Sequence, residues 1–216
     1  MYTLAEENYL KAIYKLSMVA KNVSTNQIAA ELATKASSVT DMLRKLAEKL
    51  LINYTRYQGV SLTQTGEKVA VNIIRRHRLW EYFLVEKLNF KWDEVHEMAE
   101  EMEHISSTEL IDRLDEFMGF PTRDPHGDPI PDSQGNFKQN DLKPISAVDI
   151  NACGIISGVR DHSSAFLQYL EKKQLTIGKK ITVKEIITYD NTVILQMDNK
   201  DLQISRDVAN NLLIAL

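Results

Sequence analysis

Apolar residues recur at helical spacing through the first half of the chain. Leu4, Tyr9, Leu10, Ile13 and Leu16 form one stripe, Ile28, Ala29 and Leu32 a second, and Val39, Leu43, Leu46 and Leu50 a third. Leu79, Trp80, Phe83, Leu84 and Leu88 make a fourth, Val95, Met98, Met102 and Ile105 a fifth, and Leu110, Ile111, Leu114 and Phe117 a sixth. Residues three and four apart share a helix face, so each stripe predicts an amphipathic helix. Between the third and fourth stripes, LINYTRYQGVSLTQTGEKVA reads as a β-hairpin: Leu51–Arg56, a turn at Gln58-Gly59, then Val60–Thr63.

The pattern changes toward the C-terminus. Ile155–Val159, Lys179–Ile187, Thr192–Met197 and Leu202–Ser205 are short runs rich in Ile, Val and Thr, which predict strands, with turns at Gly178 and Asp190-Asn191. One helix, Ser163–Lys173, interrupts them, with Ser163 or Ser164 as its cap. All five prolines fall between Pro121 and Pro144, which marks a linker there. The expected fold is mainly α with a small barrel-like β domain.

Composition adds limits. No apolar run approaches the roughly 20 residues that cross a bilayer. The opening MYTLAEENYLKAIYKL carries Glu6 and Glu7 and reads as an amphipathic helix rather than a signal peptide. The single cysteine, Cys153, fits a reducing cytoplasm and is expected to be a small buried residue of a strand, not a nucleophile. The net charge of −4 hides an asymmetry: residues 1–78 hold 12 Lys and Arg against 6 Asp and Glu, and the remainder 14 against 24. A basic first third on an acidic body points to a polyanionic partner.

The segment Thr25–Leu50 carries that expectation further. Thr25 can cap one short helix and Ser37 or Ser38 the next, with Ala29 small where the two cross and Val39 anchoring the second. Ala33 stands where a helix-turn-helix often has glycine. The second helix would expose Ser37, Ser38, Thr40, Asp41, Arg44 and Lys45, short polar residues followed by cations, which suits a major groove with phosphates behind. The hairpin that follows would be a wing, with Arg56 and Tyr57 near its tip reaching backbone or minor groove.

Histidines beside carboxylates supply the second chemistry. His77 has Glu81 four residues on, and His96, Glu100, Glu103 and His104 lie in HEMAEEMEH. On a helix, with His96 at zero, Glu103 falls near −20°, Glu100 near +40° and His104 near +80°, an arc of roughly 100°. His126 sits in RDPHGDPIPD, and His162 follows Asp161. Imidazole and carboxylate donors suit manganese, iron(II) or a similar ion. Glu101 and His104 also form a Glu-x-x-His, but no second copy exists, so a di-iron carboxylate enzyme is a poor alternative. No nucleophile elbow or His-Glu-x-x-His motif is present, and no enzyme is expected.

Together the motifs EENYLKAIY, SSVTDMLRKL, GVSLTQTGEKVA, RRHRLWEYF, VHEMAEEMEHISSTELIDRLDEF and PHGDPIP run through the chain in one order. In that order the chain resembles the diphtheria-toxin-repressor family of metal-dependent transcriptional regulators, including its manganese-sensing branch. The resemblance implies an N-terminal winged helix-turn-helix over 1–72, a helical metal-binding and dimerisation domain over 73–120, a linker over 121–146 and an SH3-like (FeoA-like) β-barrel domain over 147–216. It implies a primary metal site at His77, Glu100, Glu103 and His104 with Asn8 in the first-helix position, where the family usually has Met or Asp. Lys11 stands where the manganese branch often has glutamate, which speaks against a binuclear site of that kind. A second site is implied at Glu81, Asp124, His126 and Asp161, with His96 matching an ancillary ligand and His162 unassigned. The function so implied is a cytoplasmic homodimeric repressor of metal-uptake genes, activated by manganese or iron(II) on palindromic operator DNA, with no membrane and no small organic substrate. The nearest rival is a winged-helix regulator that metal does not activate.

Overall fold

The computed structural model describes residues 2–20, 22–55, 59–138 and 141–216. They divide into two compact units that interleave in sequence: Met1–Trp80 with Glu100–Phe117 and Pro131–Phe137, and Glu81–Ala99 with Met118–Ile130 and Lys138–Leu216. No helix among the described residues is long and apolar enough to cross a membrane.

The first unit begins with α1 (Leu4–Ser17), α2 (Thr25–Glu31) and α3 (Ala36–Glu48). Thr3 and Glu6 close a capping box on α1, satisfying two amides that the helix start leaves open. On α2 the cap is Ser24, not the expected Thr25, because a capping box needs a partner three residues on and Gln27 supplies it. The turn after α2 runs through Ala33 at φ 47, with Ala33 and Thr34 donating back to Ala30 and Ala29. This is a Schellman stop, made with alanine in the left-handed region that glycine usually fills. Ser37 and Ser38 do not cap α3: the helix starts at Ala36 behind Lys35, leaving both serines in its exposed first turn. Leu10, Ile13, Ile28, Val39, Leu43 and Leu46 close over a common core.

The wing is the antiparallel pair β1 (Ile52–Thr55) and β2 (Gly59–Leu62). The second strand ends at Leu62, one residue before the expected Thr63. Gln64 already begins α4 (Gln64–Leu88), which runs without a break through residue 72, inside the expected domain boundary. Gly66 explains the sharp corner: a Cβ there would stand 1.9 Å from the Leu51 carbonyl oxygen, so only glycine lets α4 start against the strand. α5 (Val95–Met102) and α6 (Thr108–Phe117) follow. Arg75 of α4 meets Asp115 of α6 at 2.7 Å, both side chains nearly buried, and this ion pair ties the two helices.

The second unit carries a six-stranded sheet of order β3-β8-β4-β5-β6-β7, antiparallel at every pairing. Its strands are β3 (Lys143–Pro144), β4 (Cys153–Val159), β5 (Lys180–Ile186), β6 (Val193–Met197), β7 (Lys200–Ile204) and β8 (Leu212–Ala215). The expected helix is α7 (Ser164–Lys172), capped by Ser163. A second helix, α8 (Arg206–Asn211), and strand β8 were not expected. Ser205, read as a strand end, caps α8, and the final apolar run pairs beside β4. Cys153 is exposed rather than buried, since the alternation along β4 turns it outward.

Two substitutions test this account. Gly66→Ala should destabilise the chain by about 1–3 kcal/mol through overpacking, against the stabilisation of about 1 kcal/mol expected for alanine in an unhindered helix. Asp115→Ala should cost about 1.5–3 kcal/mol, because it removes the nearer of two carboxylates facing the buried Arg75 and leaves only the half-exposed Asp112, at 3.2 Å. Urea unfolding of each variant measures both, and a neutral Gly66→Ala would contradict the corner.

Candidate metal centre

In the first unit one carboxylate organises the charged cluster. Glu103 is completely buried and lies in the turn one residue past α5. Neither it nor His104 is helical, so the expected single helical face of ligands is not what brings them together. The Lys11 ammonium, from α1, donates to both Glu103 oxygens at 2.9 and 2.7 Å. It also stands 3.6 Å from Glu100, whose side chain is half exposed. His77 of α4 places Nδ1 2.7 Å from Glu103 Oε2. Burial pushes the Glu103 carboxyl up, but His77 and Lys11 outweigh it and hold the group below the usual carboxylate range.

The other histidine of the cluster points elsewhere. His104 Nδ1 is 2.6 Å from Glu7 of α1, and its Nε2 is 3.8 Å from Glu103. Glu7 also accepts from Arg76 at 3.1 Å. Asn8 is half-buried on α1. Glu7 is missing from the sequence-based set and Lys11 enters it only as a departure from a pattern. The one hint, a carboxylate and an ammonium four residues apart on α1, says nothing of which distant residues they meet.

In the second unit the arrangement differs. Glu81 of α4, 2% exposed, has Oε1 3.2 Å from His96 Nδ1 and Oε2 3.6 Å from His126 Nδ1. His126 sits in a tight turn in which the Asp124 side chain accepts from the amides of His126 and Asp128, both at 2.9 Å. Gly127 (φ 89) is needed there, since a Cβ would stand 2.2 Å from the Ser157 carbonyl oxygen. His126 O in turn accepts from Val159 N at 2.9 Å, pinning the loop to β4.

The imidazole tautomer follows from its neighbours. His126 Nε2 lies 2.8 Å from the Trp92 carbonyl, which can only accept, so Nε2 carries hydrogen. In the neutral ring Nδ1 then keeps its lone pair, buried and 3.6 Å from Glu81 Oε2. Ligand atoms of Glu81, Asp124 and His126 all lie within 4.8 Å of one another, and all three residues are buried. Burial lowers the pKa of His126, but Glu81, Asp124 and the Trp92 carbonyl outweigh it and raise the value to about 9. An excess of negative charge thus faces Nδ1, and a proton or a cation satisfies it. Three buried oxygen and nitrogen donors at this spacing fit a hard or borderline divalent ion.

Two neighbours change the expected set. Asp161 is not among the three residues whose ligand atoms lie within 4.8 Å of one another; its Oδ1 accepts from the Ser163 amide at 2.8 Å, just before α7. His162, unassigned from sequence, stacks on the His126 ring at 4.8 Å and places Nε2 4.0 Å from Asp128. Its pKa is pushed down, by burial first, with Asp128 opposing.

On the helix-turn-helix, Ser37, Ser38, Arg44 and Lys45 are exposed along one side of α3. Thr40 is half-buried and its hydroxyl donates to Ala36 O, while Arg44 lies 3.5 Å from Asp41. Thr25 is the half-buried first residue of α2. Arg56 and Tyr57 lie outside the described residues.

Three domain families match in sequence. Residues 1–60 fit the iron dependent repressor N-terminal DNA binding domain, 63–132 its metal binding and dimerisation domain, and 143–216 the FeoA domain. The iron-dependent repressor IdeR of Mycobacterium tuberculosis is 31% identical over 125 residues, 58% of this chain and 54% of that protein, so the chain matches about half the length of such relatives. The diphtheria toxin repressor of Corynebacterium diphtheriae is 26% identical over 218 residues, covering 96% of this chain and 95% of that one. A manganese-dependent transcriptional repressor solved in complex with manganese superposes with TM-score 0.86 at 30% identity, over 97% of this chain and 98% of that one. The chain belongs to the diphtheria-toxin-repressor family of iron- and manganese-dependent transcriptional repressors.

Proposed function

We propose that the protein is a metal-dependent repressor that binds palindromic operator DNA as a homodimer and controls metal-uptake genes in response to manganese or iron(II). The observation that carries this reading is the buried set Glu81, Asp124 and His126, in one chain with a helix-turn-helix that exposes Ser37, Ser38, Arg44 and Lys45. Glu81, Asp124 and His126 would hold the ion, with His96 beside Glu81 and His162 stacked over His126 as flanking groups. The ion supplies positive charge at His126 Nδ1, where the structure leaves two carboxylates facing one imidazole.

The protein's own part is to make that charge matter at a distance. Glu81 lies on α4, which continues unbroken back to Gln64 beside the wing. Binding at Glu81 therefore acts on a helix that begins at the corner held by Gly66. In a twofold dimer the separation of the two α3 helices must match successive major grooves, about one helical turn apart. Coupling of this kind typically amounts to about 1–3 kcal/mol. The iron relatives and the manganese-bound neighbour support the choice of ions.

Manganese or iron(II) should tighten operator binding by roughly 5- to 150-fold. Fluorescence anisotropy against free metal measures this, and His126→Ala or Glu81→Gln should remove the response without unfolding the chain. Operator affinity indifferent to both ions would instead favour a winged-helix regulator that metal does not activate. Arg44→Ala and Lys45→Ala should each weaken operator binding and make its salt dependence shallower, by about one counterion for a phosphate contact. An unchanged salt slope in both would remove α3 from the DNA interface.

A further inference from the structure

The cluster around Glu103 does not fit a divalent ion as it stands, and the reason is a residue of this chain. Both Glu103 oxygens accept from the Lys11 ammonium, at 2.7 and 2.9 Å, and Oε2 also faces His77 Nδ1 at 2.7 Å. Glu100 is drawn to the same ammonium at 3.6 Å. His104 Nδ1 is engaged by Glu7, and Glu7 by Arg76. The carboxylates of Glu7, Glu100 and Glu103 thus already face two permanent cations, and the position beside Glu7 on α1 holds the neutral amide of Asn8.

We propose that Lys11 is a tethered cation that holds the Glu103 cluster closed to metal and joins α1 to the turn after α5 without any ion. A metal ion would need the lone pairs that Lys11 uses. It would also bring a second and third positive charge next to an ammonium largely removed from water, where repulsion is weakly screened. Glu103 in turn cannot go unpaired, because a fully buried carboxylate without a cation is costly. Lys11 meets that need from within the chain, so the link between α1 and Glu103 persists when metal is withdrawn.

For its count of ions the proposal rests on the reading of Glu81, Asp124 and His126 as the metal site, and the test separates the two. Manganese binding to the full chain is measured by loss of the free-ion EPR signal. Binding to the wild-type chain should be unchanged by Glu103→Gln and lose one ion per protomer on His126→Ala. Lys11→Met should add one ion per protomer, bound at least tenfold more tightly than any ion at Glu103 in the wild-type chain. That ion should survive His126→Ala and vanish with Glu103→Gln. Lys11→Arg, which keeps the cation, should add none. In chelator, Lys11→Met should melt at lower temperature than wild type, and manganese should restore it; should Lys11→Met not fold, Lys11→Gln is read in its place. The proposal is overturned if Glu103→Gln removes an ion from the wild-type chain, or if the folded Lys11 variant gains none. Retention of every ion in His126→Ala would instead count against the Glu81–Asp124–His126 site, leaving the Lys11 comparison intact.

Discussion

A carboxylate taken out of water must meet positive charge, and the two most deeply buried among the described residues shape the clusters around them. Glu103 is fully buried and Glu81 nearly so. The cost of leaving either ionised and alone would be several kcal/mol, a large part of the stability of any ordinary domain. Each is therefore surrounded by imidazole and, at Glu103, by an ammonium. The two answers differ in kind. At Glu103 the charge comes from Lys11, fixed in the sequence. At Glu81 it comes from histidines, whose nitrogens can exchange a proton for a metal ion, the proton leaving to solvent.

That difference separates two clusters that look alike in sequence. Both consist of histidine and acidic residues at ligand spacing, and α4 contributes to each, through His77 and Glu81 one turn apart. One cluster has its lone pairs committed to cations of the protein. The other has the buried His126 Nδ1 turned toward Glu81 and Asp124, where a proton or a cation is held, because the Trp92 carbonyl keeps a hydrogen on Nε2. The loop that presents His126 is held by backbone contacts: the Asp124 turn on one side and the Val159 amide on the other. Such preorganisation keeps the three donor side chains near one another.

Much of the secondary structure was legible because it follows local rules. Ile28, Val39, Leu43 and Leu46 show helical spacing and are buried as that spacing requires. Ser163 caps α7 as a serine before an apolar stripe should. The failures lie where a local rule had competitors. Ser24 outranks Thr25 as a cap through Gln27, and Lys35 precedes α3 with no side-chain cap at all. The early start of α4 depends on a contact between Gly66 and the Leu51 carbonyl, which no window of sequence displays. β8 and α8 were missed because a short apolar tail has no period long enough to read.

The helix-turn-helix, the wing, the strand-rich C-terminal part and the pairing of histidine with carboxylate can all be read from the residues, since periodicity, caps and residue chemistry are written locally. The sequence also held the family motifs, and with them the candidate ligands. Which of those residues meet is a matter of long-range folding. It placed Asp161 in a capping turn, stacked His162 on His126, set Glu7 against His104 and brought Lys11 onto Glu103. These are contacts between residues up to 97 positions apart, and one of them sets an ammonium against a carboxylate that spacing alone offers as a ligand. Spacing along a helix can say that two donors share a face; it cannot say which charge the rest of the chain folds against them.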